Sequence, residues 1–318
     1  MTNAVFNIYL CGGVGIKIGN LFSAVSRQSR HVDQIVALDS STANKAVDDC
    51  FPIERLEGAE GSGSDKRANM HLYKPFVKQV LSKYPPNKLN IVVFTGSGGT
   101  GSGIGPHVMR EFLEAGIPAL AMVIGDDSSM KELDNTVSTL RSLAAQTKLG
   151  VPVCFTYHLN RPELTHSAVN HQVVQSIDSA LLALNLDNVS IDYADISNLF
   201  FFSRVVNADP ILTQMTFLTD TDLDKYDRQP IAAISVFAKE DDMRAPFPGL
   251  MYRKAGTFSE ANAGFEESCH VVLDHGSTLA ELETMMESHK KRTDGIGSRF
   301  KVQKSAIMDG ADDDGMFC

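Results

Sequence analysis

Hydrophobic residues in the first half of the chain fall in short, nearly unbroken runs. Residues 4–10 (AVFNIYL), 34–38 (QIVAL), 89–94 (LNIVVF), 118–124 (PALAMVI) and 151–157 (VPVCFTY) are of this kind. Runs with so little polar alternation fit strands covered on both faces, as in a parallel sheet. Between them the apolar positions take helical spacing, over 16–30, 67–83, 106–115 and 129–148. Strand alternating with helix predicts an α/β, doubly wound domain over residues 1–164. Ligands of such sheets bind beyond the carboxyl ends of the strands.

The pattern then changes. Val169, Val173, Val174, Ile177, Leu181 and Leu184 recur at helical spacing, which predicts a buried central helix over 165–187. Strand-like runs at 230–238 and 268–275, with a Pro/Gly turn region (RAPFPGLMYR) between them, predict a smaller α+β domain over 188–276. Residues 277–308 read as an amphipathic helix and its extension. Ser277 can cap that helix, Glu281 and Glu283 lie near its start, and Lys290, Lys291 and Arg292 lie at its end. Residues 309–318 (DGADDDGMFC) form an acidic tail.

Composition narrows the function classes. The 318 residues exceed what one core usually organises. A net charge of −10, from 29 basic and 39 acidic residues, argues against a broad nucleic-acid-binding face. No apolar run approaches the roughly 20 residues that span a bilayer, so no membrane partner is expected. The N-terminus enters a strand pattern directly, without a signal peptide, and the five scattered cysteines (Cys11, Cys50, Cys154, Cys269, Cys318) contain no CxxC pair. Both features point to a reducing cytoplasm. His166 and His171 are five residues apart, a spacing that fits solvated positions better than a metal site.

The chemistry concentrates in glycine loops at strand ends. GSGGTGSG (96–103) follows the third apolar run, CGGVGIKIGN (11–20) ends the first, ALDSSTAN (37–44) ends the second, and EGSGSDKR (60–67) precedes the next helix. Backbone N–H groups at such turns cradle phosphate. The tripeptide GK[ST] is absent, which excludes a Walker A loop. Gly96, Gly98 and Gly101 also spell GxGxxG, and Asp126 supplies an acidic residue at the next strand end, so an NAD-dependent oxidoreductase is the rival reading. Four polar strand-end loops suit a nucleoside triphosphate better.

GGTGSG (98–103) resembles the phosphate-loop signature of the tubulin/FtsZ superfamily. GGVGIKIGN resembles the first nucleotide loop of tubulin, HLNRPE (158–163) the sixth-strand loop of FtsZ, SAVNHQV (167–173) the start of the central helix, and IDYADI (191–196) the loop after it. The order of parts, the short length and the acidic tail look most like the phage-encoded tubulins of the PhuZ type. The resemblance implies that Gly98, Gly99, Thr100, Gly101 and Ser102 cradle the β/γ-phosphates of GTP or GDP. Gly12, Gly13 and Gly15, with Lys17 where tubulin has Gln, would approach the α/β-phosphates. Asp39 would contact phosphate, metal or sugar, and Asn160 and Asn170 would bind guanine. Mg²⁺ would neutralise phosphate charge.

By the same resemblance Asp192 and Asp195 are catalytic. Three apart, they can share one side of a helical turn. They would enter the next subunit's pocket and orient the attacking water. Ser190 stands where FtsZ has Asn. The alternative is an acidic N-cap pair without chemistry. For the tail, the resemblance implies docking on a neighbouring subunit, with Met316 and Phe317 as anchor and a basic groove near Lys290, Lys291, Arg292 or Arg299. An EF-hand reading of Asp309, Asp312, Asp313 and Asp314 lacks its twelfth-position glutamate. The expected protein is a GTP-hydrolysing cytoskeletal filament that positions phage DNA or its compartment in an infected bacterium. A non-hydrolysing nucleotide-binding scaffold is the other alternative.

Overall fold

Nearly continuous apolar strands do assemble one broad sheet. The structure, a computed structural model, describes residues 4–59, 61–63, 69–161, 163–244, 246–262 and 264–291. The expected acidic tail, Arg292 and Arg299 lie outside the described residues. The chain forms two units, Met1–Gly276 and Ser277–Cys318. Residues 164 and 187 both fall inside the first.

The strands are β1 (Phe6–Cys11), β2 (Val32–Asp39), β3 (Ile53–Arg55), β4 (Leu89–Thr95), β5 (Ala119–Asp126), β6 (Val153–Asn160), β7 (Asn188–Val189), β8 (Leu212–Thr219), β9 (Pro230–Phe237), β10 (Tyr252–Phe258) and β11 (Cys269–Asp274). They hydrogen-bond in the order β3-β2-β1-β4-β5-β6-β8-β11-β9-β10-β7. The sheet therefore runs without a break from the predicted α/β half into the predicted α+β half, through a parallel β6–β8 pair. β1 and β4 are buried at every position, and β5 at all but Asp126. Apolar runs at these places thus reflect helices on both faces.

Directions fix where everything else sits. β1 to β6 are mutually parallel, and β8 continues their direction. β11 runs against both β8 and β9, so β9 and its parallel neighbour β10 again point the same way as β1. Among the described strands only β11 and β7 are reversed.

The helices are α1 (Gly12–Val25), α2 (Met70–Lys83), α3 (Thr100–Glu114), α4 (Met130–Ala145), α5 (His166–Ala183) and α6 (Tyr193–Phe200). In α5, Val169, Val173, Ile177 and Leu181 are fully enclosed, as is Leu184 just after it, and Val174 is nearly so. This helix packs on α1 and on β6, β8, β9 and β11, which makes it the central core helix. Fully burying one such side chain contributes about 1.5–3 kcal/mol. The Thr165 hydroxyl caps α5 by accepting the Ala168 N–H, and Ser129 caps α4 through Glu132 N–H.

Several boundaries differ from the sequence expectation. α1 and α3 begin four and six residues earlier than the helical spacing suggests, inside the glycine loops themselves. β8 and β10 were not expected. β10 begins within the stretch read as a turn region. The loop expected after the central helix is partly the helix α6. In the second unit a helix spans 278–291, with Leu282 and Met286 buried one turn apart.

Candidate functional site

Two helix N-termini meet at the carboxyl edge of the sheet. α1 starts directly after β1 and α3 directly after the loop that ends β4. A Cβ on Gly12 would lie 2.8 Å from the Gly101 nitrogen, and one on Gly101 would lie 2.8 Å from the Cys11 carbonyl oxygen. Neither Cys11 nor Gly99, the two N-cap residues, makes a side-chain cap, and neither helix has an acidic residue in its first turn. Orphan N–H groups and two helix dipoles therefore converge with no internal anion to satisfy them, the arrangement that binds phosphate. Gly12, Gly13 and Gly15 lie on one side of this cradle and Gly98, Gly99, Thr100, Gly101 and Ser102 on the other. Lys17 stands exposed on the second turn of α1.

The loop is braced from below. Its main chain is held at Gly96, whose N–H donates to Ile124 O at 2.8 Å and whose carbonyl accepts the Thr139 hydroxyl at 3.0 Å. Asn135 Nδ2 donates to Ser97 O at 2.9 Å. Ser102 Oγ turns back onto the Gly98 and Gly99 carbonyls. A rigid loop keeps its free N–H groups aimed outward before any anion arrives. The buried Cys11 thiol beneath it has its pKa pushed up by burial and by Asp39, so it stays protonated and inert.

Asp39 ends β2 and is almost fully enclosed. Its Oδ1 accepts the Ser40 N–H at 2.9 Å, and its Oδ2 meets Asn44 Nδ2 at 2.7 Å and the Arg55 guanidinium at 3.1 Å. Arg55, on β3, also reaches the Ser41 and Asn44 carbonyls. The carboxylate thus shapes the second loop from behind, and Arg55 and Asn44 are site-supporting residues that sequence reasoning missed. Three hydroxyls face the phosphate cradle: Thr100 Oγ1 lies 2.6 Å from Ser40 Oγ and 3.1 Å from Ser62 Oγ. Among the described residues no group of three or more His, Cys, Asp or Glu converges to hold a metal. Hydroxyls without free carboxylates fit a Mg²⁺ held chiefly by phosphate oxygens and water, with Thr100, Ser40 or Ser62 adding an oxygen.

Asn160 ends β6 beside Asp126, with Asn160 Nδ2 donating to Asp126 Oδ2 at 3.4 Å. Asn170 lies on the second turn of α5, half-buried. Since α5 runs back along the sheet from the end of β6, both amides belong to the carboxyl edge. His158 is pushed down to about 4 by burial, so its imidazole is neutral around physiological pH. The glycine loop follows β4, not the first strand of the sheet, which is where a dinucleotide fingerprint belongs.

A separate crevice of about 460 Å³ lies between α2, α3 and α4, lined by Tyr73, His107, Arg110, Ser142 and Gln146 among others. It touches the phosphate cradle only through Ser102 and Gly103.

Asp192 and Asp195 lie at the opposite edge of the sheet. They form a capping box on α6: Asp192 Oδ1 accepts the Asp195 N–H at 2.9 Å, and Asp195 Oδ2 accepts the Asp192 N–H at 3.4 Å. Tyr252 and Lys254, at the start of β10, both reach Asp195, at 3.2 Å and 2.8 Å. The start of β10 is at the amino edge, as the strand directions require. Two further contacts agree. Lys88, just before β4, places its Nζ 5.9 Å from the Tyr193 ring centre, and Cys154, near the start of β6, donates to Phe200 O. The structure therefore brings the phosphate-loop residues together but separates them, within one chain, from the two aspartates. Nothing in the local sequence marks Lys254 or Tyr252 as neighbours of Asp195; β10 is 57 residues further along.

No family model matches the chain. A phage tubulin-like protein of Pseudomonas phage PhiPA3 is 27% identical over 317 residues, covering 97% of this chain and 96% of its own length. A second, from Pseudomonas phage phiKZ, is 22% identical over 323 residues, covering 96% and 95%. Among solved structures, the protofilament of TubZ from bacteriophage PhiKZ superposes with a TM-score of 0.83 at 23% identity, over 93% of each chain. The phage tubulin PhuZ with GDP also gives 0.83, at 19% identity, over 99% of this chain and all of that one. CetZ from Methanosaeta thermophila is more distant, with a TM-score of 0.69 at 14% identity, over 97% of this chain and 98% of that one. The chain is thus similar along nearly its whole length to phage tubulin-like proteins, and it shares the fold of the phage tubulins of the tubulin/FtsZ superfamily.

Proposed function

We propose that the chain binds GTP at the carboxyl edge of its sheet, polymerises head to tail, and hydrolyses GTP only at the junction between subunits. The observation that carries this reading is the separation of the two sets of residues. The phosphate cradle opens at one edge, and the acidic pair stands at the other. Stacking one copy's amino edge on the next copy's carboxyl edge unites them. The amino edge is suited to such burial, since Leu149, Tyr193, Val205 and Met251 are all exposed there. A protofilament of TubZ and a GDP complex of PhuZ exist for relatives of the same fold.

At the junction the aspartates orient water towards the γ-phosphorus. The water oxygen bonds to phosphorus as the bond to the β–γ bridging oxygen breaks, and that oxygen keeps the electron pair on GDP. One water proton leaves through a carboxylate to solvent, and the other stays on phosphate. Mg²⁺, when bound, supplies charge neutralisation on the phosphates. Asn160 and Asn170 read guanine, because an amide both donates and accepts. The filament works in the host cytoplasm. There it positions phage DNA or its compartment, a role supported by the phage origin of the relatives. Among the described residues no helix is long and apolar enough to cross a membrane.

The test is phosphate release across a protein concentration series, with pelleting in parallel. Turnover and pelleting should share one threshold concentration, and Asp192→Ala should pellet but fail to hydrolyse. Turnover linear in protein, with nothing in the pellet, overturns the reading.

A further inference from the structure

Asp195 is held more firmly than its place in a helix cap requires. The cap uses only Oδ2, which faces the Asp192 N–H. Oδ1 takes the Lys254 ammonium at 2.8 Å and the Tyr252 phenol at 3.2 Å, and the same phenol also reaches the Asp195 main-chain oxygen at 3.2 Å. Asn198, one turn further along α6, engages Tyr252 as well. Both carboxylate oxygens are thus committed, from two different elements. The side chain of Lys254 is 44% exposed, whereas that of Asp195 is 13% exposed. A pair with so open a cation contributes little to stability. Its consequence falls on Asp195, whose rotamer and charge it fixes at the edge that meets the next subunit.

We propose that Lys254 and Tyr252 are positioning residues for the hydrolytic step, holding Asp195 ionised and in a single orientation towards the neighbouring nucleotide. This rests on the reading that hydrolysis is completed between subunits. The groups facing the carboxylate are Lys254 and Tyr252 from β10 and Asp192 from its own cap. Burial by itself raises the Asp195 pKa; the Lys254 contact, the Asp192 N–H and the Tyr252 phenol bring it below the ordinary carboxylate value. Removing the ammonium leaves the burial in place and adds nothing to offset it. The acid limb of turnover must then move to higher pH.

The experiment uses the full chain and counts phosphate released per pelleted subunit between about pH 3.5 and 8, so that the carboxylate range is included. Lys254→Met should pellet at the parental threshold with a non-hydrolysable GTP analogue. It should turn over roughly tenfold more slowly near neutrality, with its acid limb displaced upward. Lys254→Arg, which keeps the cation, should recover most of the rate and the parental limb. Tyr252→Phe should fall between them, with a parental melting temperature. Parental turnover and an unmoved acid limb in Lys254→Met overturn the proposal, as does a Lys254→Met chain that is folded but no longer pellets. Asp195→Asn separates the two levels. If it hydrolyses like the parent, hydrolysis by the acidic pair itself is wrong. If it is inactive while Lys254→Met is unaffected, only the positioning role is wrong.

Discussion

Gly12 carries two constraints at once. Its φ of +76° lies in the left-handed region, and a Cβ there would meet the Gly101 nitrogen at 2.8 Å. The obstacle is main chain, so no side chain can swing aside. Gly12→Ala should therefore cost about 1–2 kcal/mol from the backbone conformation alone, and the clash adds to it by parting the two helix N-termini. A titration with a fluorescent GTP analogue should show affinity lost beyond what the melting temperature suggests. Gly13→Ala is the contrast: the three atoms nearest its Cβ would all belong to the Asn44 side chain, from 2.6 Å, and an amide held by its hydrogen bond to Asp39 gives way more easily than main chain. Parental GTP affinity in Gly12→Ala would refute the cradle. Ser190 offers a prediction of the opposite sign. It sits at φ +83° just before the acidic pair, where the FtsZ pattern has Asn. Asn tolerates left-handed backbone better than Ser. Ser190→Asn should be neutral or stabilising by up to about 1 kcal/mol in urea unfolding; a clear loss would show that the serine side chain has its own task. The glycines of the two strand-end loops are legible because conformational demand dictates residue type. Arg55 and Lys254 are not, because an arginine or lysine on a strand is compatible with any exposed edge, and only the tertiary pairing brings them to Asp39 and Asp195.

The same contrast separates the strands and helices. β1, β4 and β5 announce themselves because a strand covered on both faces needs apolar residues at successive positions. β8 (LTQMTFLT) and β10 (YRKAGTF) are largely half-buried and mix polar with apolar residues without a clean period, and the Pro/Gly stretch before β10 masks it further. The starts of α1 and α3 are hidden for a different reason. A helix that offers its N-terminus to a ligand gives up a capping side chain and uses glycine, the residue that otherwise argues against helix. The starts of α4 and α5, which do carry Ser and Thr caps, are legible to within one residue. This difference can be measured. Thr165→Ala and Ser129→Ala should each cost about 1 kcal/mol in urea unfolding. Only Thr165→Ala should also weaken preference for guanosine over adenosine nucleotides, because Asn170 rides on the second turn of α5. Equal nucleotide preference in both variants and the parent would remove Asn170 from the base site.

Across the first unit, buried and half-buried histidines connect stability to pH. His31, His107, His158 and His270 sit in different parts of the sheet's surroundings, and burial lowers the pKa of each, to about 4 for His158. Asp220 partly offsets the shift of His270 through a 3.2 Å contact. Unfolded, these rings take up a proton near pH 6.5; folded, they resist it. Their contribution is therefore complete above the unfolded value and is lost as pH falls from there towards the folded value. For His158 that window runs from about 6.5 to about 4, with a slope of at most about 1.4 kcal/mol per pH unit. Asp195, Asp220, Asp222 and Glu54 have lowered pKa values and follow the carboxylate sign: their stability is kept above the unfolded value, near 4, and is lost only below it. Between pH 6.5 and 4 the histidines must dominate. Urea unfolding at a few pH values in that window should show stability falling with acid, and His158→Gln should flatten the fall by about one proton's slope. A flat profile in the parent would mean that the rings accept protons in place. Because this titration belongs to the folded subunit and the proposed role of the Lys254–Asp195 contact belongs to the junction, the two are separable. Acid should first weaken the subunit, while turnover per pelleted subunit holds until Asp195 itself begins to protonate.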